Sequence, residues 1–207
     1  MRQRGVFLQD LRRACNRLEG RSFSRILACA RSPGVHAVAV YRLGNWLLDK
    51  NLFVNALLLP IYLLLNYHVK AFWGISILRR AIIGEGFFIG NWGGIFVSGM
   101  AVIGRNCDIF QDVSIGVSRS GNQYGYPIIG DNVQIGPGVK IHGKVNIGNN
   151  VRIAPNATID RNIPDDVHVS PAPLQVVRVS PIVEKPARSQ HTIRLLAPAS
   201  RNTPQAK

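Results

Sequence analysis

The sequence predicts a parallel β-helix that follows an α-helical region. From residue 81 to residue 162 the chain divides into twelve six-residue units, and the third residue of every unit is β-branched. A six-residue period with such an anchor is typical of a parallel β-helix, in which each unit forms one short strand and a turn. Three units close one coil, so the pattern predicts about four coils. The anchors are Ile83, Ile89, Val97, Ile103, Ile109, Ile115, Ile129, Ile135, Ile141, Ile147, Ile153 and Ile159.

Residues 1–80 have helical rather than six-residue periodicity. Residues 6–19 place their apolar side chains on one face, and a second helix is expected over 22–30. The segments VHAVAVYRLGNWLLDK and 52–70 predict a third and a fourth helix. The sequence therefore predicts a helical N-terminal region, residues 1–80, followed by the β-helix, residues 81–162.

The longest apolar run in the chain is LFVNALLLPIYLLL, residues 52–65. Fourteen residues form a helix about 21 Å long, too short for a hydrocarbon core of about 30 Å. A buried helix is one interpretation. The other is a helix that lies on a membrane surface, aided by the excess of basic residues that precedes it.

Composition and charge exclude several classes of protein. The 207 residues are 46% hydrophobic and carry a net charge of +14, which indicates a globular chain with a basic surface. Three isolated cysteines form no metal motif and no disulfide framework, and no metal site is expected. The cysteine pattern favours a reducing, cytoplasmic compartment, and we find no secretory signal peptide. Because we find no nucleic-acid motif either, we expect a protein that does not bind nucleic acid. Association with the inner face of the plasma membrane remains open.

Two insertions interrupt the six-residue period. The first adds two residues within GNWGG, and the second is RSGNQYGY, between Ser118 and Pro127. Insertions in a solenoid form loops that often line the binding face, so we expect the site near them. After Asn162 the anchors stop, and the sequence predicts a C-terminal exit segment over 163–180 and a disordered tail over 181–207.

The chain resembles the hexapeptide-repeat acyltransferases, and within them the serine acetyltransferase-like branch. That branch includes enzymes that O-acetylate surface polysaccharides. The resemblance covers residues 33–177 and rests on the stretches PGVHAVAVYRLGNWLL, AIIGEGFFIGNWGGIFV, AVIGRNCDIFQDVSIG and YPIIGDNVQIGPGVKIHGKVNIGNNVRIAPNATI. It implies a left-handed β-helix, assembly as a homotrimer, and transfer of an acetyl group from acetyl-CoA to a hydroxyl at sites between neighbouring subunits.

The catalytic residues that the resemblance implies are absent from this chain. Asn91 stands where the family has its general base, a histidine, and Gly90 stands where an aspartate often precedes it. Tyr126 replaces a second histidine, and the segment PAPLQ replaces the closing Gly-x-Pro-Ala-Arg motif. Asparagine has no basic lone pair, and tyrosine has an ordinary pKa near 10, so neither is a ready base.

His142 is the best alternative candidate for the base. It takes a turn position that glycine usually fills, and unit counting stacks it one coil beyond Gly116 and two beyond Ser98. A solvent-facing histidine without a catalytic role is the competing interpretation. His36 and His68 are interpreted as structural; Asp108 and Asp112 are interpreted as turn formers.

Acetyl-CoA requires a smooth groove for its pantetheine arm and cations or backbone N–H groups for its phosphates. At positions that resemble the family's, Gly116, Ser118, Gly136 and Ala154 are candidates for the groove. Arg119 and Lys140 are candidates for the phosphates, with Lys144 and Arg152 also available. Each of these cations could equally be an ordinary solvated charge.

Three functional hypotheses follow. The first is an acetyl-CoA-dependent O-acetyltransferase that acts on a sugar hydroxyl in surface-polysaccharide or exopolysaccharide synthesis. The second is a serine O-acetyltransferase of cysteine synthesis, and the third is a catalytically dead homologue that acts as a scaffold. The expectation leans towards an enzyme of the first kind.

Overall fold

The computed structural model describes residues 2–17, 22–120 and 123–170. The predicted tail and the closing segment PAPLQ lie outside these residues. The helices are α1 (Arg2–Arg17), α2 (Ser22–Arg31), α3 (Pro33–Leu47) and α4 (Leu52–Trp73). Asn51 caps α4, because its side chain accepts a hydrogen bond from the backbone N–H of Val54. The four predicted helices are thus present, and Gly74, in the left-handed conformation, caps the C-terminus of α4.

Sixteen short strands follow the helices in the described part of the chain. They are β1 (Ile75–Ile77), β2 (Ile82–Ile83), β3 (Phe88–Ile89), β4 (Ile95–Val97), β5 (Val102–Ile103), β6 (Asp108–Ile109), β7 (Ser114–Gly116), β8 (Ser118–Ser120), β9 (Gln123–Gly125), β10 (Ile128–Ile129), β11 (Gln134–Ile135), β12 (Lys140–His142), β13 (Asn146–Ile147), β14 (Arg152–Ile153), β15 (Thr158–Ile159) and β16 (His168–Val169).

The strands form the three parallel sheets of a β-helix. Sheet A has the order β1-β4-β7-β12-β15, sheet B has β13-β10-β5-β2, and sheet C has β16-β14-β11-β6-β3. Strands β8 and β9 form a separate antiparallel hairpin. Because β1 and β16 pair with sheets A and C, regular pairing extends beyond residues 81–162 at both ends.

The anchors of the six-residue units fill the interior of the coil. All twelve predicted anchors are at most 6% exposed. The first residue of each unit also points inward; Cys107 is one of them, and burial raises the pKa of its thiol to about 11. A buried thiol of high pKa is a core side chain rather than a nucleophile. The sequence pattern therefore predicted the core correctly.

The turns between sheets form three corners, named here by the sheets they join. At the B–C corner Asn106, Asn132 and Asn150 have a positive φ of 56–57°, a conformation that asparagine tolerates better than most residues. Their side chains hydrogen-bond to one another from coil to coil at 3.1–3.3 Å. These hydrogen bonds stabilise the turns that precede strands β6, β11 and β14.

Helices α1 and α3 are fixed to the first coils by buried polar contacts. Tyr41 of α3 donates a hydrogen bond to the carbonyl of Ala81 at 2.7 Å, and Arg42 donates to the carbonyl of Ile83 at 2.7 Å. Arg42 also pairs with Asp10 of α1 at 2.9 Å. The helical region and the β-helix are therefore one packed body at this end.

Asp108 has a different role from the one predicted. It lies on strand β6 rather than in a turn, and its buried carboxylate forms ion pairs of 2.7 Å with Arg13 and Arg17 of α1. Burial raises the pKa of this carboxyl, and the two arginines oppose that rise. Asp112, by contrast, has φ of 59° in a turn, as expected.

Helix α4 is mostly exposed, and its interpretation as a buried helix is therefore wrong. Only Tyr62 and Val69 of its 22 residues are buried. Among the described residues it is the one helix that is long and apolar enough to cross a membrane, by length and composition alone.

Candidate functional site

Asn91 lies exposed at the C–A corner, within the first insertion. Its side-chain amide donates a hydrogen bond to the side-chain oxygen of Gln111 at 3.1 Å. Gln111 occupies the same corner one coil later, so stacking of the repeat brings the two side chains together. The corner thus presents two neutral amides, which can donate and accept hydrogen bonds but cannot act as a base at neutral pH.

The residue beside Asn91 could not become an aspartate without rearrangement. A Cβ atom on Gly90 would lie 2.4 Å from the ring of Phe110, which fills the space next to it. The aspartate that the resemblance implies would therefore fit at this position only if Phe110 moved. This corner differs from the implied pattern in shape as well as in charge.

His142 lies at the opposite edge of sheet A, at the A–B corner. It ends strand β12 and pairs in register with Gly116 of β7, as unit counting predicted. A Cβ atom on Gly116 would lie 3.1 Å from Nδ1 of His142 and 3.6 Å from the ring of Phe96. Because Gly116 has no side chain, the imidazole of His142 can lie over the backbone of β7 at this position.

The second insertion forms the hairpin of β8 and β9, which packs beside His142. Gly125 lies against the backbone of Lys144, so closely that a Cβ there would be 2.2 Å from that residue's Cβ. At the other end of the contact, the Tyr124 hydroxyl donates to the sulfur of Met100 at 2.9 Å. The hairpin therefore spans the A–B corner across several coils, and a Cβ on Gly143, the residue after His142, would lie 3.4 Å from the Cβ of Ser118.

The environment of His142 favours its neutral form. Partial burial lowers the pKa of the imidazole below its usual 6.5, and the nearby Lys140 ammonium lowers it further. A neutral imidazole at physiological pH has a free nitrogen that can accept a proton. Of the three predicted catalytic side chains, His142 is the one whose chemistry suits a general base.

Tyr126 follows the hairpin at the same corner and is 38% exposed. It precedes Pro127, with which sheet B resumes. Asn91 is on the far side of sheet A and two coils away from His142, about 10 Å along the axis. One chain therefore brings Tyr126 to the corner of His142 and keeps Asn91 apart from it.

The residues predicted to bind acetyl-CoA are divided between the two corners. Gly116, Ser118 and Arg119 lie at the A–B corner, although the Arg119 side chain is outside the part that is described. Gly136 and Ala154 lie at the C–A corner. Between the corners, exposed Lys140 stands on the outer face of sheet A, where its ammonium donates to the carbonyl of Asp112 at 2.7 Å.

Gly136 is no specific sign of an acetyl-CoA groove, whereas Lys140 has the charge and exposure that a phosphate group requires. A Cβ on Gly136 would lie 2.7 Å from the carbonyl of Ile153, so coil packing alone requires this glycine. Lys140, on the outer face of sheet A, and Lys144, at the A–B corner, are both exposed, as phosphate groups would require, whereas Arg152 is on sheet C. In the described residues no group of His, Cys, Asp or Glu could hold a metal ion.

The other histidines have structural or exposed positions. The Nε2 atom of His36 is 2.6 Å from the carbonyl oxygen of Ala30, and its ring is tilted against Trp73. His68 packs against Trp73 as well. His168 is exposed on β16. Sequence reasoning missed Gln111, Phe110 and Phe96; the first two follow the stacking of the repeat and could have been found by comparing equal positions in successive units.

Comparison with known proteins gives a consistent set of relatives. The family described as bacterial transferase hexapeptide (six repeats) matches residues 126–161. The serine acetyltransferase of Synechococcus elongatus is 31% identical over 171 residues, which are 79% of this chain and 68% of that protein. The serine acetyltransferase of Synechocystis is 33% identical over 184 residues, 85% of this chain and 70% of that protein.

Solved structures agree with the sequence matches. Serine acetyltransferase isoform 3 from Entamoeba histolytica, in complex with cysteine, superposes with a TM-score of 0.66 and 30% identity over 86% of this chain. The match covers 62% of that protein, so this chain spans less than two thirds of its length. The soybean serine acetyltransferase apoenzyme gives a TM-score of 0.65 at 26% identity. The predicted fold class, a left-handed parallel β-helix with an α-helical N-terminal part, is confirmed.

Proposed function

We propose that this chain transfers an acetyl group from acetyl-CoA to a hydroxyl. The chain belongs to the hexapeptide-repeat acyltransferases and to their serine acetyltransferase-like branch. The observation that carries the proposal is 31–33% identity to serine acetyltransferases over 79–85% of the chain. Those relatives favour serine as the acceptor over the sugar hydroxyl that the sequence first suggested. Serine is therefore the acceptor proposed first.

The proposed general base is His142. A hydroxyl is a weak nucleophile until a base takes its proton, and such a base typically contributes about 10²–10⁴ in rate. The lowered pKa of the imidazole keeps it neutral and able to accept that proton. Acetyl-CoA supplies an acetyl group already activated as a thioester. His142 takes the proton as the hydroxyl oxygen forms its bond to the acetyl carbonyl carbon, and returns it to the departing thiolate sulfur.

Neighbouring subunits would complete the site. Asn91 and His142 stand at opposite edges of sheet A, so a second copy of the chain is needed to bring an Asn91 amide towards a His142 imidazole. A separate observation supports self-association: on the outer face of sheet B, Ile82 and Ile128 are 65% and 43% exposed. We propose a homotrimer, in which Asn91 donates a hydrogen bond to the reacting carbonyl oxygen or to the acceptor.

A sugar hydroxyl is the second candidate acceptor. It is favoured by the altered C–A corner, where Asn91 and Gln111 present amides and Phe110 fills the space beside Gly90. Amide side chains that donate and accept hydrogen bonds suit a hydroxyl-rich ligand without a charge. The two candidates share the donor and the base and differ only in what the C–A corner binds.

Turnover with matched acceptors tests the proposal. Purified chain is incubated with acetyl-CoA and either L-serine or a series of hexoses and oligosaccharides; thiol release and the mass of the acetylated product are recorded. Acetylation of L-serine well above that of the sugars supports the first acceptor, and the reverse order supports the second. L-Threonine and 2-deoxy sugars are the matched controls for acceptor shape.

Absence of thiol release with every acceptor, from a folded trimer that binds acetyl-CoA, would contradict both candidates. The Asn91→His variant then separates the causes. If it gains turnover where the parent has none, the chain is a homologue that lost its base and kept the fold as a scaffold. Mass determination by light scattering tests the trimer independently, with Ile82→Glu as the variant expected to dissociate it.

A further inference from the structure

Helix α4 exposes an apolar face along its whole length. The large exposed side chains include Phe53, Leu57, Ile61, Leu64 and Phe72, with exposures from 50% to 85%. They recur at intervals of three, four or eight residues and so lie on one side of the helix. A helix on the surface of a water-soluble domain would carry charged or polar side chains there.

The opposite face of α4 is already occupied by the rest of the protein. Tyr62, in the middle of the helix, lies so close to α3 that a Cβ on Gly44 would be 2.3 Å from its ring. The guanidinium of Arg79 is 5.9 Å from the centre of the same ring. The middle of α4 is thus fixed beside α3 and beside a charged residue of the β-helix.

This attachment excludes a spanning orientation. If α4 crossed a bilayer, Tyr62 would lie near its centre, and Arg79 would have to enter the hydrocarbon with it, which is strongly unfavourable. A helix that lies flat has no such conflict, because its apolar face enters the boundary between headgroups and acyl chains while its other face stays on the protein.

Charge around α4 indicates which surface would cover it. Residues 50–84 contain four basic residues and no Asp or Glu, and Asp49 and Glu85 stand directly on either side of this stretch. Lys70, Arg79 and Arg80 line one cleft along the helix, and Lys50 lies 4.6 Å from the ring centre of Trp46 at its start. Two copies of this face would bring like charges together. Anionic headgroups would instead pair with them.

We propose that α4 docks this protein, as a monotopic helix, on an anionic phospholipid bilayer. The exposed face from Phe53 to Phe72 enters the interface, and the exposed side chains of Lys70 and Arg80 contact the headgroups, while Arg79 stays against Tyr62. The arrangement would hold the β-helix at the membrane surface, whichever acceptor it uses. Docking is independent of catalysis and of the nature of the acceptor.

Vesicle flotation of the full chain tests the proposal. Wild-type protein is expected to float with vesicles of phosphatidylcholine and phosphatidylglycerol in equal amounts, and to bind much less to phosphatidylcholine alone. Added salt should weaken the binding, since the headgroup contacts are screened. Protein that stays in solution with both vesicles, or binds both equally, would overturn the proposal.

Two sets of variants locate the contact. Leu57→Gln/Ile61→Gln/Leu64→Gln is expected to lower the partition coefficient about tenfold or more, and Lys70→Gln/Arg80→Gln to lower binding to the anionic vesicles alone. The control is Leu8→Gln/Leu27→Gln, which replaces leucines that are 54% and 50% exposed on α1 and α2 and should bind like wild type. Circular dichroism confirms that each variant is folded.

Light scattering without vesicles tests whether another copy of the chain, rather than a membrane, covers the exposed face of α4. If the triple variant on α4 lowers the mass of the assembly by whole subunits, another copy of the chain covers the face in solution, and the proposal is overturned. An unchanged mass together with lost flotation supports it.

Discussion

The interior of the β-helix and the two corners that carry insertions differ in how closely they follow the six-residue period. Inside, twelve anchors in twelve units are buried. At the C–A and A–B corners the period is interrupted, and the residues there are Asn91, His142 and the β8–β9 hairpin. Packing limits which residues can occupy the interior, whereas the corners can accept insertions and other residues without loss of the β-helix. Substitutions in the two regions should therefore change different properties.

The largest effect is expected at the A–B corner. His142→Gln should lower kcat by about 10²–10⁴, because the hydroxyl acceptor loses its base. The midpoint of thermal unfolding should hardly change, since most of the side chain is exposed. Steady-state kinetics and a thermal melt on the same sample measure both. His168→Gln, an exposed histidine on β16, is the control, and equal losses in both variants would contradict the assignment.

An anchor substitution should show the opposite behaviour. Ile147→Ala leaves a cavity in the coil and should lower the free energy of unfolding by about 2–5 kcal/mol. Asn146→Ala, on the adjacent exposed position of β13, should change it by less than about 0.5 kcal/mol. Denaturant titration measures the two differences. Similar values for both would mean that the interior is less constrained than the period indicates.

The C–A corner offers a change of intermediate size. Gly90→Asp should destabilise the protein by about 1–3 kcal/mol, because the new side chain would have to displace Phe110. Denaturant titration again gives the value. Combining it with Phe110→Ala should recover part of the loss. No recovery would show that the cost has another source.

The smallest expected effect is a shift in pH dependence. Only neutral imidazole accepts a proton, so kcat/KM should fall as the pH drops through the pKa of His142. That pKa is lowered, which places the acid limb below pH 6.5. Lys140→Gln removes one cause of the lowering, and the acid limb should move to higher pH. Lys144→Gln is the matched control, and a shift of equal size there would contradict the role of Lys140.

The sequence predicted residues that depend on their neighbours in the chain better than residues that depend on distant contacts. The anchors and the pairing of His142 with Gly116 follow from counting units, because the repeat determines both. Asp108 was predicted as a turn residue, and its burial depends on Arg13 and Arg17, which are more than 90 residues away. No local pattern reports such a contact.

The insertions and α4 show the same limit. The eight inserted residues predicted a loop, whereas the structure forms a hairpin because Ser118 and Gly125 lie opposite each other. The apolar run of α4 left burial and a membrane surface open. Hydropathy shows that the side chains of α4 are apolar, but it does not show what they contact. Only the packed structure shows that most of them are not buried against the rest of the chain.

Calorimetric titration with acetyl-CoA, compared with free CoA, tests the central claim most directly, because every proposed step begins with that complex. The account predicts binding in the micromolar range, weakened by Lys140→Gln. Absence of detectable heat at millimolar acetyl-CoA, from a folded trimer, would contradict the transferase proposal. The protein would then be a β-helical homologue without catalytic activity.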